Sequence, residues 1–149
     1  MMLKRMDNVL IVVDDLEAVK VFFLDLGLEL EGETTVEAPS VDRLIGLENV
    51  RATISLLKTP DGQSRIELDK FHSPAAVRDG TEKAPVNALG IRRIMFAVEG
   101  LDSIVARLLS RGSELVGEVV QYGNSYRLAY VRGPEGIIVA LAEECERLA

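Results

Sequence analysis

One cysteine, one histidine and no tryptophan occur among the 149 residues of the chain. A lone Cys145 cannot close an internal disulfide, which fits a reducing compartment. A lone His72 excludes every site that takes two histidines from one chain. Basic residues are in deficit, 17 Lys and Arg against 24 Asp and Glu, leaving a net charge of −7. That balance excludes nucleic acid as a partner, since binding it requires clustered positive charge that displaces counterions. It also provides no attraction to an anionic membrane surface. The longest purely apolar run, Val9 to Val13, is a strand's length and far short of the roughly 20 residues of a membrane span. The opening Met1–Asp7 carries positive charge but no apolar stretch or small-residue cleavage site behind it. No secretion signal is expected, and the expected location is cytoplasmic.

What is present is ordinary for a globular domain: 48% hydrophobic and 28% charged residues. It is also duplicated. Residues 8–33 lie over 93–118 at a constant shift of 85 positions without a gap. Val13 meets Val98, Leu16 meets Leu101, Leu24 meets Leu109 and Gly27 meets Gly112. Glu29-Leu30 then meets Glu114-Leu115, and Gly32-Glu33 meets Gly117-Glu118. Matched glycines at matched helix ends make coincidence a poor explanation.

Each copy reads as strand, helix, strand. Residues 8–13 and 93–98 are apolar and β-branched enough for buried strands. Leu101, Ile104, Val105, Leu108 and Leu109 form one helical stripe, and Leu16, Val19, Phe23 and Leu26 form its counterpart. Acidic residues at Asp14, Asp15, Glu17, Glu99 and Asp102 suit helix N-termini, while Gly27 and Gly112 supply the left-handed stop. Pro60-Asp61-Gly62 and Pro134-Glu135-Gly136 then read as turns between strands, near 50–58 and 65–69 in one copy and 126–132 and 138–142 in the other. Modules of β-α-β-β-β are expected at 6–71 and 90–144, joined by a linker over 72–89 with at most one short helical turn.

This duplicated pattern resembles the vicinal-oxygen-chelate superfamily, which includes glyoxalase I, methylmalonyl-CoA epimerase, extradiol dioxygenases, fosfomycin-resistance enzymes and bleomycin-resistance proteins. The resemblance rests on Asp7–Leu16, Phe22–Gly27, Arg65–Leu68, Gly90–Val98 and Gly133–Gly136 with its following strand. It implies an α+β fold, two tandem β-α-β-β-β modules forming a cup-shaped, eight-stranded mixed sheet in a single glyoxalase-like domain. In metal-dependent relatives the cup holds Mn, Fe, Zn, Ni or Co between two histidines and two carboxylates or near equivalents. One ligand comes from the start of each module's first strand and one from its last strand.

Carried over residue by residue, the first-strand position of the first module falls on Asn8 and its last-strand carboxylate on Glu67. In the second module the two positions fall on Arg93 and Ala140. Only Glu67 matches. Arginine does not give up its proton to a metal, and alanine has no donor atom. Asn8 offers a carbonyl oxygen suited to Ca or Mg better than to Zn or Fe. The resemblance thus implies no cofactor, with a divalent metal as the alternative. Arg93 and Glu67 are expected either to pair and plug an abandoned site, or to leave Arg93 as a fixed cation for a ligand's carboxylate or phosphate.

The remaining residues carry less. His72 is expected at the surface, Cys145 as an inert thiol among the carboxylates of residues 143–147, and Tyr122, Tyr126 and Tyr130 with Arg127 on one face or the other of a strand. No Gly-x-Gly-x-x-Gly, Walker or Gly-x-Ser-x-Gly pattern occurs. Three functions follow from the resemblance. The first is metal-free small-molecule binding through Asn8, Glu67, Arg93 and Tyr126, as in the bleomycin-resistance branch, although 5% aromatic content is thin for stacking planar drugs. The second is a metal-dependent lyase, isomerase or dioxygenase with a variant site, or with Glu67 as general base. The third is a domain with a filled cup. A homodimer is the expected assembly.

Overall fold

The computed structural model describes residues 1–145, so Glu146 and Arg147 of the acidic tail lie outside the described residues. The chain forms two compact units, Met1–Arg78 and Asp79–Ala149.

The first unit opens with β1 (Val9–Val12) and α1 (Leu16–Leu26), followed by β2 (Glu29–Val36), α2 (Pro39–Ile45), β3 (Arg51–Lys58) and β4 (Arg65–Ser73). Asp15 caps α1 by accepting the Ala18 amide at 3.0 Å, as an N-cap carboxylate should. The helix stops at Gly27, whose φ of 126° a side chain would resist. Its apolar stripe buries Val19, Phe22, Phe23 and Leu26. The four strands run in the order β1-β4-β3-β2. β1 lies parallel to β4, and the other pairs are antiparallel. The helix α2 is an addition to the expected β-α-β-β-β pattern. Pro39 begins it and left-handed Gly46 ends it, and Asp42 then accepts the amides of Asn49 and Val50 at 3.0 and 2.9 Å, bending the chain into β3.

The second unit begins with a helical turn at Thr81–Lys83 in the linker, then β5 (Ile94–Ala97), α3 (Leu101–Ser110), β6 (Glu114–Leu115), β7 (Val120–Tyr122), β8 (Tyr126–Arg132) and β9 (Ile138–Glu144). Its sheet runs β5-β9-β8-β6, with β7 also on β8. The single second strand expected here is two short pieces, β6 and β7, and the sheet accordingly has five strands. α3 lacks a capping side chain of its own. Glu143 on β9 does that work instead, accepting the Gly100 and Leu101 amides at 2.8 and 3.4 Å. The linker is tied to the turn after β8: Arg132 donates to the carbonyls of Glu82 and Ala84. At Gly136, φ is 78° and an added Cβ would stand 2.1 Å from the Glu82 carbonyl oxygen, so glycine is obligatory there for two separate reasons.

The duplication is visible in the strand registers. Leu10 sits opposite Glu67 in the parallel pair of the first unit, and Met95 sits opposite Ala140 in that of the second. Glu67 and Ala140 are therefore equivalent positions, as are Asn8 and Arg93 one alternation earlier.

Candidate functional site

Each unit has a sheet with a helix on one face, and the candidate residues lie on the other. In the first unit the helix-side face is identified by a polar network. Lys20 of α1 reaches Glu33 on β2 at 3.1 Å, and the Ser55 hydroxyl on β3 donates to the same carboxylate at 2.5 Å. Ser55 is fully buried. Its hydrogen bond, with help from the Lys20 ammonium, holds the Glu33 carboxyl below its usual range. Ser55 pairs with Leu68 across the ladder, so Leu68 and Ile66 also face the helix. By strand alternation Glu67 and Asp69 point the opposite way.

Two rows of side chains cross that open face. Leu10, Glu67 and Leu56 form one, and Val12, Asp69 and Ile54 form the next. Each carboxyl is flanked by an aliphatic neighbour on both adjacent strands. Glu67 is partly exposed, whereas Asp69 is only 7% exposed, and its Oδ1 is buried without a hydrogen-bond partner. Burial first, then a hydrogen bond shared with the Glu67 carboxyl and finally its charge, push the Asp69 carboxyl up to about 7. Asn8 stands exposed just before β1.

In the second unit Arg127 on β8 binds Asp102 of α3 through two hydrogen bonds of 2.9 and 2.8 Å. Arg127 therefore faces the helix, and Tyr126, Leu128 and Tyr130 face away from it. Tyr122 on β7 is in register with Tyr126 and shares its face. The tyrosines that the sequence left on either side of the strand are thus together on the helix-free face, and Arg127 is apart from them. Arg93 lies on this face too, with its guanidinium carbon 5.5 Å from the Tyr130 ring centre in a cation–π contact. Ala140 pairs with Tyr130 across the ladder.

The donor set does not fit a resident transition metal. Of the four positions that would supply ligands, Arg93 and Ala140 offer none. Among the described residues no group of three or more His, Cys, Asp and Glu could hold a metal ion. His72 belongs to β4 and not to the linker; it is exposed, with Nε2 2.7 Å from the Thr53 hydroxyl. Cys145 Sγ accepts from Gln121 at 3.5 Å.

The sequence profile of the Glyoxalase/Bleomycin resistance protein/Dioxygenase superfamily matches residues 5–141. The chain belongs to this superfamily. It is similar to the crystal structure of a glyoxalase family protein from Bacillus cereus, at 52% identity over 98% of this chain and 97% of that one, with a TM-score of 0.94. At the level of fold it is similar to two more distant solved structures. One is TnmS3, an antibiotic binding protein from Streptomyces, at 16% identity over 97% and 99% of the two chains and a TM-score of 0.61. The other is FosX, a fosfomycin resistance protein from Listeria monocytogenes, at 14% identity over 97% and 96% and a TM-score of 0.62. A search of curated proteins finds no match.

Within this superfamily fold, sequence reasoning missed three groups: Asp69, the Arg93–Tyr130 contact and the Glu143 cap. Asp69 had a signal, because Glu67-x-Asp69 on an alternating strand puts both carboxyls on one face. The other two depend on pairings between strands far apart in sequence.

Proposed function

We propose that this superfamily member binds a small organic molecule without a metal, using Arg93 on the helix-free face of the second unit to hold the ligand's carboxylate or phosphate. The observation that carries this reading is the placement of the Arg93 guanidinium over Tyr130 at a position where metal-dependent relatives place a ligand. A ring beneath the guanidinium engages its face and leaves the N–H groups at its rim to meet an anion in two-pronged geometry. Tyr126, 44% exposed on the same face, adds an aromatic surface with a hydroxyl for orientation. Asn8 and Glu67 lie on the corresponding face of the first unit, beside Asp69.

The test is calorimetric titration with phenyl phosphate and with benzoate, comparing wild type with Arg93→Ala and Arg93→Lys. Binding should disappear in Arg93→Ala and survive only weakly in Arg93→Lys, because a lysine cannot bind in two-pronged fashion. Affinity undiminished in Arg93→Ala would refute the assignment.

A further inference from the structure

The helix-free face of the second unit has a direction as well as a charge. Its ladders set three rows: Met95, Ala140 and Tyr130, then Ala142 and Leu128 with Val120, then Glu144, Tyr126 and Tyr122. Arg93 marks one end. Among the described residues no carboxylate pairs with it, and its guanidinium rests on the Tyr130 ring. The arginines of β8 differ, since Arg127 is bound by Asp102 and Arg132 by linker carbonyls. Where the first unit has Glu67 and Asp69, register places Ala140 and Ala142, so no acid stands between Arg93 and the last row. Beyond Tyr130 the surface is hydrocarbon and aromatic, with Val120 45% and Tyr122 69% exposed, a contiguous apolar stretch of the kind that marks a binding surface. Tyr122 and Tyr126 are directly opposed across the β7–β8 ladder, which brings their side chains within reach of each other. Tyr126 precedes Tyr130 by four residues on β8, so the paired tyrosines stand about 13 Å along the strand from the residue that carries Arg93. Glu144, exposed beside Tyr126, closes that end.

We propose that the ligand held by Arg93 is an amphiphile with a single anionic head: the head on Arg93, and an elongated apolar body of about 13 Å crossing Leu128 and Val120 to end at the Tyr122–Tyr126 pair. The proposal rests on the reading of Arg93 given above and adds the class of molecule. A compact anion would engage Arg93 and leave the apolar rows in water. A body laid across them removes that surface from water on both partners. A second charge at the far end is disfavoured, because it would lie on apolar surface and, if negative, beside Glu144. At about 1.3 Å of length per carbon, 13 Å corresponds to a straight chain of about ten carbons. All of these residues lie in the second unit, so the site is complete within it.

The experiment is calorimetric titration of the full chain with straight-chain carboxylates of about six, eight, ten and twelve carbons, all below micelle-forming concentration. One side of the body stays in water, so each carbon gains about half of a full methylene burial, roughly twofold in affinity. Decanoate should therefore bind about 16-fold more tightly than hexanoate, and dodecanoate little better than decanoate. Decanedioate, of equal length with a second carboxylate, should bind about tenfold more weakly than decanoate, and octylammonium about tenfold more weakly than octanoate. Tyr122→Ser, a change at an exposed position, should lower the decanoate-to-hexanoate affinity ratio about threefold. Equal affinity for hexanoate and decanoate, with binding still lost in Arg93→Ala, would overturn the proposal and leave the reading of Arg93 standing. Octylammonium binding as tightly as octanoate would overturn it too, as would affinity that climbs by the same factor past ten carbons. Failure of every carboxylate and of phenyl phosphate to bind would overturn both readings together.

Discussion

Replacing Asp69 by Asn keeps the shape of the side chain and removes its charge, which isolates the cost of an acid buried beside another acid. The Asp69 carboxyl is raised from 3.8 to about 7 in the folded chain. Between those two values the folded state holds a proton that the unfolded state has released. Stability therefore falls as pH rises through that window; the penalty is absent below pH 3.8 and complete above pH 7. Each pKa unit corresponds to about 1.4 kcal/mol, so three units set a ceiling of roughly 4 kcal/mol on the penalty at pH 8. Other carboxyls act in the opposite sense. Asp14, Glu31 and Asp102 are lowered by their basic partners and Glu33 chiefly by Ser55, and they favour the folded state more as pH rises through the acid range. The quantity to follow is thus the difference between variant and wild type. Urea denaturation monitored by far-UV circular dichroism at pH 4, 6 and 8 measures it, since no tryptophan is available. Asp69→Asn should be close to wild type at pH 4 and about 2–4 kcal/mol more stable at pH 8. A variant less stable than wild type at pH 8 would refute the reasoning, because the charged carboxylate would then be stabilising in place.

Other perturbations probe the frame that holds these faces. Ser55→Ala removes a buried donor to Glu33 and should cost about 1.5–3 kcal/mol in the same denaturation assay. Glu143→Ala uncaps α3 and should cost roughly 1 kcal/mol, with faster amide exchange in the first turn of that helix. Gly136→Ala forces a Cβ against the Glu82 carbonyl at positive φ. The left-handed strain alone is worth about 1–2 kcal/mol, and the displaced linker should become the first site cut in limited proteolysis.

Much of the fold was legible because its signals are local. The 85-residue repeat carried β1, α1 and their copies, and glycines marked both helix ends where the structure has φ of 126° and 100°. The turn residues located the last two strands of each unit. The helix α2 was not legible, since seven residues starting at a proline are too short for a helical stripe to stand out. The split of the expected strand into β6 and β7 was equally hidden, as nothing in residues 116–119 forces it.

The site was legible by position and not by contact. Glu67 and Ala140 were placed as equivalents, and the strand registers agree. Which face the tyrosines take depends on Arg127 choosing Asp102 across 25 residues of sequence, and strand parity alone holds no such information. The environment of Asp69 depends on burial, which a sequence does not state.

The central claim is that an anionic ligand binds through Arg93 with no metal taking part. The most direct measurement is metal content of the untagged protein by mass spectrometry, followed by phenyl phosphate titration before and after EDTA treatment. The account predicts less than stoichiometric metal and one unchanged affinity, lost in Arg93→Ala. Stoichiometric metal that disappears in Glu67→Ala, with binding abolished by EDTA, would contradict it and return the protein to the metal-dependent enzymes of its superfamily.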